Sequence, residues 1–307
     1  MSLMPEQINF TRLNSALDGS VNFFASTPDG GKIETRFVQR YADRFIVYIS
    51  SMTGCDKACR FCHLTQNGET MATFLTREQM IAQAEQVLNS SNFDGAKLVH
   101  FNFMARGEPL SNQAVDATLF KQLNMAAQKR GLQCRIKIST ILPLDTITDS
   151  GQNLWDEGTP PVDLYYSLYS IDASWRRRWI PKAQAPAEAL AWLKRYQQAS
   201  GNRVILHWAL IDGENDDLEG ARAAFKMAEA SGISFDFNLV RYNPANDKSK
   251  EASEAKIELF MKLAKSAVSE GRRARMVNRV GFDVAASCGM FLVGNNQPLS
   301  GDNKAVA

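Results

Sequence analysis

The chain has 307 residues, 45% hydrophobic and 22% charged, and 35 basic against 33 acidic side chains leave a formal charge of +2. This ordinary globular composition holds no run of about 18 apolar residues able to cross a membrane. No basic and apolar leader opens it either, so a reduced, cytoplasmic setting is expected. The near-neutral balance gives no global nucleic-acid signature, and five cysteines, three of them in residues 55–62, point to metal or redox chemistry rather than a disulfide framework.

Between Ser20 and Val38 two apolar runs flank Asp29-Gly30-Gly31, the composition of a β-hairpin whose turn needs positive φ. Arg44 to Ser50 reads as a buried strand, and the cysteines follow it. Thr76 with Gln79 three residues on forms a capping box that opens a helix over Arg77 to Leu88. Strand and helix then alternate: strand Lys97–Phe103, helix Val115–Lys129, strands Arg135–Ser139 and Asp163–Tyr169, and helix Pro186–Ala199. The series ends with strand Val204–Leu210, helix Leu218–Ala230, strand Phe235–Val240 and helix Glu254–Glu270. Strands separated by helices cannot be joined as hairpins, so a parallel sheet is expected, curled by right-handed crossovers into an open or closed barrel. Functional residues then belong at the C-terminal strand ends. The expected organisation is α/β: an N-terminal segment with a β-hairpin over 1–43, a partial (β/α)6 barrel over 44–293, and a mobile polar tail over 294–307.

Cys55, Cys59 and Cys62 form C-x3-C-x2-C directly after the first strand of this array. Three thiolates on one loop can hold three corners of a [4Fe-4S] cluster and leave the fourth iron open to a substrate. The alternative is zinc, but structural zinc is normally four-coordinate with paired C-x2-C spacing. His63, next to Cys62, is an awkward fourth ligand.

The loop CDKACRFC resembles the cluster motif of the radical S-adenosylmethionine (SAM) superfamily. YISSMTGCDKACRFCHLT, MARGEPLSN, KISTILP, YSLYS, RRRWIP, HWALIDGENDD, NLVRYNP and GFDVAASCGMF resemble, in order and spacing, the RlmN/Cfr family of RNA adenine methyltransferases, over roughly residues 20 to 292. The resemblance implies a radical SAM partial barrel with a [4Fe-4S] cluster on Cys55, Cys59 and Cys62. It also implies SAM held through Glu108, Ser139, Ser167 and Asn243, and Cys288 as the carrier of a methyl group that a SAM-derived radical then activates for addition to adenine. RNA and an electron donor such as flavodoxin or ferredoxin are the implied partners, with no membrane. The bland alternatives are a solvated turn glutamate, polar strand-end caps and a small buried cysteine.

The chain also departs from that pattern. Seven residues before the first cluster cysteine, where the family has a second catalytic cysteine, stands Tyr48, and a phenol cannot form the disulfide that releases the methyl carrier. Cys134 is the remaining thiol and reads as a core residue. Arg106 stands where the family has methionine, and STILP replaces a Gly-containing STSG, which suggests altered chemistry or substrate. With about 20 residues before the hairpin, the family's RNA-gripping N-terminal domain is expected to be absent. Trp175 to Lys182 offers four basic residues and aromatic rings that could stack on bases, and Arg272, Arg273, Arg275 and Arg279 make a second basic stretch; either could equally be a solvated face. His100 and His207 read as packed within strands. Two other functions stay open: a radical SAM enzyme of different reaction type on a non-RNA substrate, and a non-catalytic metal- or RNA-binding protein.

Overall fold

A computed structural model describes residues 8–293, and the tail expected to be mobile lies outside the described residues. The frame is one 10-stranded sheet whose spatial order follows the sequence. β1 (Thr11–Asn14), β2 (Val21–Ser26), β3 (Lys32–Tyr41) and β4 (Arg44–Ile49) pair antiparallel. From β4 onward every pairing is parallel, through β5 (Leu98–Phe103), β6 (Gln133–Thr140), β7 (Val162–Ser167), β8 (Val204–Ala209), β9 (Phe235–Val240) and β10 (Ala274–Val277). The connections carry α1 (His63–Gln66), α2 (Arg77–Ser90), α3 (Ala117–Gln128), α4 (Ala173–Trp179), α5 (Pro186–Ser200), α6 (Leu218–Ala230) and α7 (Glu254–Ala267). Parallel strands leave a crossover to be made after each one, and helices make it for most of them. Among the described residues no helix is long and apolar enough to cross a membrane.

The expected hairpin is β2 and β3, turning through Gly30 at φ 81°. β1, α4 and β10 escape the sequence reading because they are short, and β1 and β10 present mostly exposed side chains with no apolar alternation. β7 ends two residues earlier than expected, since Tyr169 turns to φ 53°. The capping box on α2 forms as read, with Thr76 Oγ1 accepting from the Gln79 amide and Gln79 Oε1 from the Thr76 amide.

Side-chain alternation divides the parallel strands into two faces. Val47, Phe101, Ile136, Leu164, Leu206 and Phe237 point outward into the main apolar core under the helices. Their neighbours, among them Tyr48, Asn102, Lys137, Tyr165, His207 and Asn238, line a concave lumen. The sheet therefore curls with an apolar outer face and a polar inner one.

The loops at the C-terminal strand ends lock together through close backbone approach. Gly107, just beyond β5, has φ 96°, and a Cβ there would lie 2.6 Å from Met52 Cγ and 2.8 Å from the Met52 amide nitrogen. Ser51 donates its amide to the Arg106 carbonyl at 2.8 Å, so the cysteine loop and the β5 loop are joined at this point. Gly107→Ala is expected to lower stability by more than about 1 kcal/mol in denaturant unfolding; an unchanged midpoint would show that Met52 yields.

Candidate active site

Cys55, Cys59 and Cys62, Glu108, Ser139, Ser167, Asn243 and Cys288, though far apart in sequence, all border one cavity above the C-terminal strand ends. Cys62 is the N-cap of α1, and its amide donates to the Cys59 carbonyl at 3.0 Å, which folds the cysteine loop into a tight turn. Among the described residues no three His, Cys, Asp or Glu side chains already converge tightly enough to hold a metal ion. The donor set nevertheless fits an iron-sulfur cluster: three thiols on one loop, facing one cavity. His63 is turned away from it, with Nε2 3.3 Å from the Asn243 carbonyl oxygen.

Glu108 is buried and immobilised by the backbone. Oε1 accepts from the Leu110 amide and Oε2 from the Ile141 amide, each at 3.1 Å. Burial outweighs these bonds and pushes its pKa up to about 7. Ser139 Oγ is a buried polar atom with no partner, on the cavity wall; such an atom is satisfied when a polar ligand arrives. Next to it, Leu142 holds φ 48° at the position where the resemblance has glycine, and its buried side chain keeps it there. Phe61 and Tyr169, ring centroids 4.9 Å apart and edge to face, add apolar wall.

Cys288 comes from the C-terminal segment, and Asn243 holds it in place. Asn243 Nδ2 donates to the Cys288 carbonyl at 2.8 Å and to Ser287 Oγ at 3.1 Å, while its Oδ1 accepts from Arg279 Nε at 2.7 Å. Burial raises the Cys288 thiol to about 11, against the pull of Arg36 and Arg40. Its Sγ lies 3.8 Å from Met104 Sδ. Tyr48 borders the lumen that also reaches Cys288, and burial raises its phenol. Cys134 packs in the outer core and borders neither cavity, as expected.

Sequence reasoning missed the network that fixes this segment. Glu34 and Arg106 are both fully buried, and Arg106 Nε meets Glu34 Oε1 at 2.7 Å. Arg36 Nη2 pairs with Glu34 Oε2 at 3.0 Å, and a further Arg106 nitrogen pairs with Glu69. The same two guanidiniums clasp the C-terminal segment, Arg36 through the Met290 carbonyl at 2.7 Å and Arg106 through the Leu292 carbonyl. The Leu292 amide returns a bond to Glu34 Oε1 at 3.1 Å. Arg106 therefore points away from the cavity, and its replacement of methionine alters the support of Cys288 rather than the cavity wall. The available signal was an opposite-charge pair, Glu34 and Arg36, two residues apart on one face of a strand and flanked by Ile33 and Phe37.

One further expectation is corrected. Trp175 and Trp179 stack on each other at 5.7 Å and are each 2% exposed, so neither ring is open to a base. Arg176 beside them is buried, donating to the carbonyls of Leu168, Ser170 and Gln184. An amphipathic short helix buries one side, and here the aromatic side is the buried one. His100 and His207 lie within β5 and β8 as read, on the lumen side, and His207 is buried against the Tyr165 ring with Nε2 2.9 Å from Asn238 Nδ2.

No family model matches the chain. It is 33% identical over 300 residues to a protein of Frankia alni named "Probable dual-specificity RNA methyltransferase RlmN", a match covering 94% of this chain and 69% of that one. The chain belongs to the RlmN-like family of radical SAM enzymes. A Thermotoga petrophila protein of the same name is 29% identical, with 90% of this chain and 77% of that one covered. In fold, a radical SAM methyltransferase from Sphaerobacter thermophilus superposes with a TM-score of 0.72 at 24% identity, covering 92% of this chain and 80% of that one. Spore photoproduct lyase complexed with a dinucleoside spore photoproduct does so at 0.53 and 14%, covering 74% and 75%. The partial barrel with an antiparallel N-terminal extension is thus a radical SAM fold, and the protein is a radical SAM enzyme.

Arg106→Met is expected to cost about 3–5 kcal/mol in denaturant unfolding, because it removes one of the two guanidiniums that compensate the fully buried Glu34. A loss under about 1 kcal/mol would remove the network from its supporting role. For Glu34 itself, burial raises the carboxyl, yet Arg106 and Arg36 outweigh it and hold it below the ordinary 4.5. A depressed carboxyl stabilises fully above its unfolded pKa, and that stability is lost as pH falls through the folded value. The stability of the wild type should therefore drop more steeply below about pH 4.5 than that of Glu34→Gln, measured by urea unfolding between neutral and acid pH; parallel profiles would contradict this.

Proposed function

We propose that the protein is a radical SAM methyltransferase that modifies adenine in RNA, with Cys288 as its methyl carrier. The supporting observation is the convergence of Cys288 with the cysteine loop and the four polar strand-end residues on one cavity. The RNA methyltransferase names of the relatives supply the substrate class. In this reading Cys55, Cys59 and Cys62 hold a [4Fe-4S] cluster, and Glu108, Ser139, Ser167 and Asn243 hold SAM. When bound and reduced by a donor such as flavodoxin or ferredoxin, cluster and SAM supply a methyl group and a hydrogen-abstracting carbon radical.

The chain's own residues position and protect. Glu108, its oxygens fixed by two backbone amides, offers the amino group of SAM an acceptor already in place, and the approach of that group favours the ionised carboxylate. Ser139 Oγ gains its missing partner. Cys288 must lose its proton before its sulfur can accept a methyl group, and Arg36 and Arg40 favour that thiolate. Asn243 fixes the Cys288 backbone from below, and Phe61 with Tyr169 keeps water from the cavity.

The test is anaerobic reconstitution with SAM and reductant, following 5′-deoxyadenosine and S-adenosylhomocysteine while mapping the Cys288 peptide. Methyl-Cys288 with both products is expected, and its formation is abolished in Cys288→Ala. Deoxyadenosine without methyl-Cys288 would defeat the methyl-carrier route. That result would favour the second reading, a different radical reaction on a non-RNA substrate, for which the phenol of Tyr48 on the lumen beside Cys288 speaks.

Tyr48 also generates a prediction within the first reading. Without a second thiol, the covalent adduct between Cys288 and RNA has no disulfide-forming release step. We expect the wild type to accumulate that adduct on denaturing gels and Tyr48→Cys to release it. Free turnover in the wild type would assign release to another group.

A further inference from the structure

The concave lumen below Cys288 is electropositive well beyond what the fold needs. Six cationic side chains border it, Arg40, Arg44, Lys137, Arg241, Arg275 and Arg279, and no Asp or Glu among the described residues does. Arg44, Arg241 and Arg279 have carboxylate partners at its rim. Arg40, Lys137 and Arg275 have none within ion-pair distance among the described residues. Lys137 lies against the Tyr165 ring, 5.4 Å from its centroid, while the carboxylate of its β7 register partner Asp163 is engaged by Arg135 at 2.8 Å, and Arg275 Nε donates to Asn238 Oδ1 at 2.9 Å. Two buried polar atoms here lack any hydrogen-bond partner, Arg40 Nε and Asn102 Oδ1, and Asn102 is 4% exposed. Burial lowers Lys137 to about 7 despite the pull of Asp163, so an anion beside it would restore its charge, and burial, then Lys137 and other cations, lower His100 to about 2 and His207 to about 3. Burying like charges without compensation is costly, and where a protein keeps such a cluster the missing counter-charge belongs to a ligand.

We propose that the lumen is a phosphate subsite for the methyl acceptor, in which Arg40, Lys137 and Arg275 seat a phosphate of the nucleotide being modified beside Cys288. The inference rests on the nucleotide reading above for the identity of the acceptor, but the anion site stands on the lumen itself. The two cavities meet at Met104, His207 and Cys288, so a phosphate held in the lumen tethers the rest of its nucleotide within reach of the methyl carrier. Asn102 Oδ1 awaits an N–H or O–H donor, which the sugar or base of a nucleotide carries and a free phosphate dianion does not.

The experiment is equilibrium dialysis of the full chain, cluster reconstituted, with adenosine 5′-monophosphate, adenosine, and a short single-stranded RNA containing one adenosine. The phosphorylated ligands are expected to bind about 10-fold to 100-fold tighter than adenosine, the range for charge-assisted hydrogen bonds. Lys137→Met and Arg275→Gln should each erase most of that gap. Because Lys137→Met removes a desolvated amine with no carboxylate within ion-pair distance among the described residues, its melting temperature without ligand should hold or rise, which a structural ion-pair role would not allow. If the gap and its loss appear with RNA alone, the phosphate is a phosphodiester of the polymer; if with the mononucleotide, a free nucleotide. Equal binding of adenosine and its monophosphate with no preference for RNA, or a gap that survives both substitutions, overturns the subsite. Methylation of Cys288 needs no acceptor, so its failure would remove the methyl-carrier reading while leaving the anion result intact, and the reverse holds equally.

Discussion

Glu34, shared between Arg36 and Arg106, is the interaction on which the geometry of the site depends. All three side chains are essentially inaccessible, and together they touch β3, the loop after β5 and the C-terminal segment. A buried carboxylate between two guanidiniums offsets its desolvation only when its hydrogen bonds are also satisfied. Here the Leu292 amide and the Asn22 side chain complete the set. Breaking one member leaves the others charged in a dry place, so the network holds as a unit. Cys288 inherits its position from this unit and from Asn243.

The second organising feature is the division of the parallel sheet. Its outer face is a continuous apolar core with the helices, where burial of aliphatic and aromatic area supplies the folding energy. The inner face can then carry cations, histidines and amides without the sheet coming apart. Placing the polar row inside a curved sheet creates a cavity where side chains from six or more strands meet. The cavity at the strand ends and the cationic lumen share Met104, His207, Val240, Arg241 and Cys288, so the Cys288 segment borders both chambers.

Much of this was legible in the sequence. The alternation of β4 to β9 with helices fixed a parallel array, because the connection lengths admit no other pairing, and β9 and α6 fall where periodicity put them. The cysteine spacing singled out one loop, and its three thiols do border one cavity. Less legible were elements with no periodic signal: β1, α4 and β10 each owe their form to neighbours. The basic aromatic run at Trp175 misled for a related reason, since seven helical residues do not reveal which side meets the protein.

By itself the sequence determined the order of strands and helices, the spacing of the three cysteines on one loop and the family, since these depend on local spacing and on motifs within short segments. Tertiary structure alone decided that Arg106 supports Cys288 instead of lining its cavity, that the tryptophans are closed to ligands, and that Arg40, Lys137 and Arg275 gather in one lumen. Those outcomes depend on which face of a curved sheet each residue occupies and on which groups distant in sequence meet, as Arg106 meets Glu34 across 72 residues and the Leu292 carbonyl across 186. Electrostatics acts through space, and a chain's partners there are set only when the sheet closes around them.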